Sequence, residues 1–291
     1  KEGRQLTESR RCAKLALEAG RSLFEPDSKN IAILTYNYGK TLDKYGKERR
    51  TVLENATDLY EYIHGKDSPE LISLLIDAEK ANRAVRIAKD SYGGGSILYA
   101  DTLLAAGMSD LTKQSSGSRF LKEALKVYSN GAEGSESLGA TLANFQLGKI
   151  KIAQEKYKSS IPYFLEATKN PSIASYAHAF LVEAYDRTSQ QDKATEHVLI
   201  MARQPIRGKD YIPLFVQQPK YPDRARRFGK EGYAMIELTV SKEGLALNPT
   251  VIEEKPKGQG FGKSALKAAG SLRYVPRFID GEPVEVPGVL Y

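Results

Sequence analysis

The sequence predicts two domains, an all-α repeat superhelix over residues 1–205 followed by a small α+β domain over residues 206–291. Three observations predict this. The chain has 291 residues, more than one domain of ~100–200 residues accounts for. Its character changes near residue 205: Ala, Leu, Lys, Glu and Tyr at helical spacing give way to Pro205, Pro213, Pro219 and Pro222, then to alternating runs. The helical part also repeats itself, since Leu147 and Leu181 head similar segments at an offset of 181 − 147 = 34.

The elements follow in order. Arg4 to Phe24 carries Leu6, Ala13, Leu17 and Phe24 at helical spacing. Ser68-Pro69-Glu70 and Asn170-Pro171 mark helix starts, with a capping side chain and a proline at the first helical position. A linker is expected over Arg203 to Gln218. Tyr233 to Val240 alternates and reads as a strand, with Ala234, Ile236, Leu238 and Val240 inward. Ser241 to Gly244 is a turn, and Leu245 to Glu253 a second strand. A short amphipathic helix follows, with Phe261, Ala265, Leu266 and Leu272 on its apolar side and Arg273-Tyr274-Val275-Pro276 ending it. Asp280-Gly281 turns into a last strand.

Within the repeats, Leu147, Lys151, Ser160, Phe164 and Ala167 fall on Leu181, Tyr185, Ala194, Val198 and Met201. Small residues let the second helix approach the first, and large ones fill the groove between neighbours. Leu104, Gly117, Leu121 and Ala124 fit a third unit, 147 − 104 = 43 residues ahead of the next. The region resembles the tetratricopeptide repeat. The similar loops after Tyr62 and after Ser91 suggest longer units of the kinesin-light-chain type upstream. The alternative is a helical bundle without repeat symmetry. Repeat arrays present a concave face to peptides or proteins. Tyr36, Tyr38, Tyr99, Tyr176 and Tyr185 are candidates to line it, the alternative for each being burial in the helix packing.

From Gln218 the chain reads Gln-Pro-Lys-Tyr-Pro, then Gly229 and Gly232 before the first strand, Gly244 in the turn, Tyr274 with Pro276, and Gly281. In this order the motifs resemble the C-terminal domain of TonB, the periplasmic energy transducer of Gram-negative bacteria, over roughly Pro213 to Tyr291. The resemblance implies a periplasmic interaction protein that grips a peptide of a TonB-dependent outer-membrane transporter by strand addition. Its helical repeats hold a second peptide or protein. An ExbB–ExbD-like inner-membrane complex is a further implied partner. The implied binding positions are Gln218, Pro219, Tyr221 and Pro222, with Val284, Val286, Val289 and Tyr291 along the edge strand. Arg224, Arg226 and Arg227, with Lys230, are expected to steer acidic partners. For Tyr221 the alternative is packing on its own sheet alone. The alternative function is a periplasmic scaffold or envelope sensor that binds protein or cell wall without energy transduction.

The chain lacks the membrane helix and Pro-rich spacer of TonB; its 13 prolines are dispersed. It opens on Lys1 and stops at Tyr291, inside what is expected to be the last strand. A cleaved signal or an anchor, and a few further residues of that strand, are therefore expected outside it.

Composition narrows the chemistry. Hydrophobic residues at 41% and charged ones at 27% are those of a globular chain. One cysteine, Cys12, forms neither an intrachain disulfide nor a Cys cluster, and three scattered histidines do not suggest a zinc enzyme. No run approaches the ~18 apolar residues of a membrane helix. The net charge of +7, from 43 Lys plus Arg against 36 Asp plus Glu, is spread out, so no nucleic-acid partner is expected. Gly258 to Ser264 imitates the end of a phosphate loop, but Lys257 stands where the pattern needs glycine. No catalytic constellation, cofactor or metal site is expected, and the chain reads as a non-enzyme.

Overall fold

The computed structural model describes residues 2–109, 114–131, 134–202, 212–216 and 218–291. The domain boundary expected at residue 205 and most of the expected linker, 203–211 and 217, lie outside these. So does the side chain of Leu6. The chain divides into two compact units, Lys1–Ile150 and Lys151–Tyr291.

The first unit is helical: α1 (Glu2–Leu23), α2 (Lys29–Thr41), α3 (Lys47–His64), a 3-10 turn at Pro69–Leu71, α4 (Ile72–Asp77), α5 (Ala81–Tyr92), α6 (Ile97–Ser109), α7 (Gln114–Ser129) and most of α8 (Leu138–Ala153). The second begins with α9 (Tyr157–Ala167), α10 (Pro171–Arg187) and α11 (Gln191–Ala202). The repeat pattern is a burial pattern. Leu147, Phe164, Ala167, Leu181, Ala194 and Val198 are fully buried, as are Ser160, Leu121 and Ala124. The hairpin turns repeat too. Glu79, Glu155 and Ser189 adopt left-handed φ of 59°, 57° and 56°. The amide after each bonds the carbonyl five residues back: Lys80 to Leu75 at 2.7 Å, Lys156 to Lys151 and Gln190 to Tyr185 at 2.9 Å. The last two turns are 189 − 155 = 34 residues apart, the offset read from the leucines. Gly65 and Gly93 end α3 and α5 with nearly equal geometry, φ 89° and 81°, so the two look-alike loops are one turn used twice.

Two expectations are corrected here. Tyr38, Tyr99 and Tyr185 do not line a groove; they are 7%, 2% and 6% exposed. Tyr38 and Tyr99 donate across their hairpins to Glu48 and Glu123, each at 2.6 Å. Tyr36 is partly buried and donates to Asp77 at 2.6 Å, leaving Tyr176 as the exposed member of the set. Ser68 precedes the Pro69 turn without a side-chain cap, whereas Asn170 caps α10 by accepting from Ser172 N at 3.0 Å.

The C-terminal part holds α12 (Asp223–Arg227), β1 (Tyr233–Val240), β2 (Ala246–Lys255), α13 (Phe261–Ala269), β3 (Arg277–Ile279), β4 (Glu282–Val284) and β5 (Val286–Leu290). β2, β1 and β5 make an antiparallel sheet in that order, and β3 and β4 form a separate hairpin. Ile236, Leu238, Val240, Ala265, Ala269, Leu272, Tyr274 and Val289 form the core between sheet and helix. α13 ends at Ala269, earlier than the expected stop at Pro276, because Ser271 and Leu272 already turn back on the carbonyls of Ala268 and Ala269. The expected single last strand is two. Asp280-Gly281 turns β3 into β4, and only after Glu285 does β5 join β1.

Candidate functional site

β5 is an edge. Its pairing with β1 sets Leu290 opposite Glu237 and Val289 opposite Leu238. Beyond them Tyr291 and Ile236 exchange both backbone bonds at 2.8 Å. The register shifts before Val289, where Gly288 has a positive φ of 72°. In an antiparallel ladder the hydrogen-bonded residues alternate, so Leu290 turns its N–H and C=O groups away from β1. Side chains alternate with them. Val289 is buried, Tyr291 packs against the core, and Leu290 is 55% exposed. Burial raises the Tyr291 phenol, and the neighbouring Tyr274, fully buried, is pushed up to about 12; both stay neutral and apolar in character. Of the four implied edge positions, Val286, Val289 and Tyr291 lie on β5 or directly after it, while Val284 sits in the separate β3–β4 hairpin.

The Gln-Pro-Lys-Tyr-Pro segment flanks the same end of the sheet. β5 runs antiparallel to β1 and ends beside Ile236, near where β1 begins. Tyr221 lies there. Its hydroxyl donates to Lys230 O at 2.8 Å, and its ring meets Phe261 edge-on at 5.6 Å, yet it stays 47% exposed. The ring thus packs on its own domain and presents a face to solvent. Pro222 holds the N-cap position of α12 without a side-chain cap and stands against Gly260. Gln218 and Pro219 are exposed. Arg224, Arg226, Arg227 and Lys230 are exposed around α12, and Arg226 pairs with Asp223 at 2.6 Å.

The backbone holds this shape by close approach. Gly244, at φ +79°, leaves no room for a side chain: a Cβ there stands 2.1 Å from Tyr274 O. At Gly232 a Cβ stands 2.3 Å from Lys255 O. The phosphate-loop imitation is filled from within. Glu254 accepts from the amides of Gly260 and Phe261, both at 3.0 Å, where a phosphate would sit.

Residues 217–290 match the family described as Gram-negative bacterial TonB protein C-terminal. This segment is a TonB C-terminal domain. Such a domain is a protein-interaction module of the cell envelope. No curated protein matches the chain. Among solved structures, BtubC (BKLC) from P. vanneervenii is similar with a TM-score of 0.48 at 14% identity, over 73% of this chain and 98% of that one. Among the described residues no helix is long and apolar enough to cross a membrane.

Two side-chain pairs near the TonB C-terminal domain carry no local sequence signal. Arg273, with its side chain 3% exposed, is held by both carboxylate oxygens of Asp186 on α10, at 2.8 and 2.9 Å. Its NH1 also reaches Glu243 O at 3.4 Å. His178 and His197, read from the sequence as scattered, meet through their Nδ1 atoms at 3.0 Å.

Proposed function

We propose that the protein is a periplasmic adaptor whose TonB C-terminal domain takes an extended peptide of an outer-membrane transporter along β5, while its helical repeats hold a second protein. One observation supports this above the others: among the described residues β5 has β1 on one side and no strand on the other. Main-chain bonds from the outward groups of Leu290 supply affinity. Leu290 and Tyr221 offer apolar contact, and Gln218 a side chain that donates and accepts. The arginines of α12 raise the on-rate of acidic partners.

Titrating a labelled transporter-box peptide against the full chain tests the reading. Binding is expected, weakened several-fold by Gln218→Ala. Leu290→Pro is expected to abolish it, because proline removes an outward amide while the inward bonds of Val289 and Tyr291 persist. No binding at millimolar peptide by a folded chain leaves the scaffold role instead.

A further inference from the structure

Helices α10 and α11 carry both the contacts that seat the TonB C-terminal domain and the histidine pair. Asp186 of α10 grips Arg273. Val198 of α11 lies against the Ser241–Gly244 turn, its Cγ1 3.1 Å from where a Cβ on Gly244 would stand. One residue before Val198, His197 bonds His178 of α10. A nitrogen–nitrogen hydrogen bond needs one protonated ring nitrogen and one lone pair. The contact therefore tolerates one bound proton at most. With both rings protonated, two donors and two like charges face each other at 3.0 Å.

We propose that the His178–His197 contact is an acid-sensitive latch under the seat of the TonB C-terminal domain: double protonation parts α10 from α11 and loosens Asp186 and Val198 from the domain.

The surroundings give a second charge no relief. Tyr185 of α10 stacks on His197 at 5.5 Å, and Lys193 of α11 lies over the Tyr185 ring. Glu196 of α11 acts on Tyr185, and Glu183 of α10 is offset by Arg187. From α9, Phe164 stacks on Phe180 and does not titrate. Toward the C-terminal domain the Asp186 carboxylate is already taken by Arg273. Burial lowers both imidazoles, and His197, with His178 beside it, falls to about 4. Both folded values lie below the ordinary ~6.5, so the unfolded chain binds more protons as pH falls. The stability is fully present above about pH 6.5 and is lost as pH falls toward about 4. Each ring shifts the folding equilibrium by at most about tenfold per pH unit, less for solvent screening of the partly buried rings.

Thermal unfolding and amide hydrogen exchange of the full chain at pH 7.5 and pH 5 test the latch. At pH 5 the melting midpoint is expected to fall. Amides of 241–245 and 272–274 are expected to lose about tenfold in protection after correction for intrinsic exchange. His197→Gln, which stays neutral and leaves only the burial effect on His178, is expected to keep most of that protection at pH 5. His178→Gln repeats the comparison from the other ring, and is decisive where the first variant lacks wild-type helicity at pH 7.5. Equal loss of protection in the wild type and in the helical variant overturns the proposal. So does full protection of 241–245 at pH 5 in the wild type.

Discussion

In the helical hairpins a glycine of one helix lies under a leucine of the next: a Cβ on Gly39 or on Gly107 stands 2.6 Å from a side-chain carbon of Leu53 or Leu121. In the TonB C-terminal domain two glycines lie against main chain. Gly244 faces Tyr274 O and Gly232 faces Lys255 O, at 2.1 and 2.3 Å. Both arrangements exclude a methyl group, but a leucine side chain can rotate away and a main-chain carbonyl cannot. At these positions the helical hairpins close on side chains with room to adjust, and the C-terminal domain closes on main chain without it.

The largest effect is expected where α10 meets the domain. Asp186→Ala leaves the Arg273 guanidinium, 3% exposed, without its bidentate partner. Removing one member of a buried ion pair costs about 3–5 kcal/mol. Denaturant unfolding followed by circular dichroism is expected to show this in the transition of residues 151–291. A loss under about 1 kcal/mol would mean that the domain draws away and hydrates Arg273, and that α10 holds it only loosely.

The next effect sets backbone against side chain directly. Gly244→Ala forces a side chain into a left-handed residue, φ +79°, and against Tyr274 O. Backbone strain of about 1–3 kcal/mol adds to overpacking of similar size, so about 3 kcal/mol of destabilisation is expected. The Tyr274 amide bonds Gly244 O at 2.9 Å, so the turn has no free direction in which to move. Exchange of the Tyr274 amide is expected to speed up with the loss of stability; a variant that melts like the wild type would refute the rigid-turn account.

The same contrast explains what the sequence makes legible. Leu147 and Leu181, Phe164 and Val198, Ser160 and Ala194 recur because each repeat buries the same positions, so spacing alone located them. Gly229, Gly232, Gly244 and Gly281 stood out because backbone geometry admits little else, three of them at positive φ. The β3–β4 hairpin leaves no mark in the sequence because strands of three residues are too short to alternate visibly. The end of α13 is not legible in the sequence because Gly270 stays right-handed, at φ −63°, and marks no break in the apolar pattern. Asp186 with Arg273, 87 residues apart, and His178 with His197 on facing helices have no periodic signature. Tyr38 and Tyr99 are ambiguous in the sequence because a tyrosine with a carboxylate within reach is as good a core residue as a groove residue, and Tyr185 because its stacking partner His197 lies on the next helix.

The smallest effect sharpens the comparison from the helical side. Gly39→Ala in α2 meets Leu53 Cδ2 at 2.6 Å and Cγ at 3.1 Å, with Val52 Cγ1 at 3.3 Å. Leu53 is 2% exposed, so its adjustment costs overpacking energy of about 1–3 kcal/mol. Gly39 sits inside a helix, where alanine is favoured over glycine by about 1 kcal/mol. The two effects oppose, and a net loss of about 1 kcal/mol is expected in the unfolding of residues 1–150. Leu53→Val in the same chain removes one carbon from the crowded side chain and is expected to recover part of that loss, a non-additivity readable in a double-mutant cycle. A loss as large as that of Gly244→Ala, without recovery, would show that the helical hairpins are as rigid as the backbone turns and would erase the distinction between the two regions.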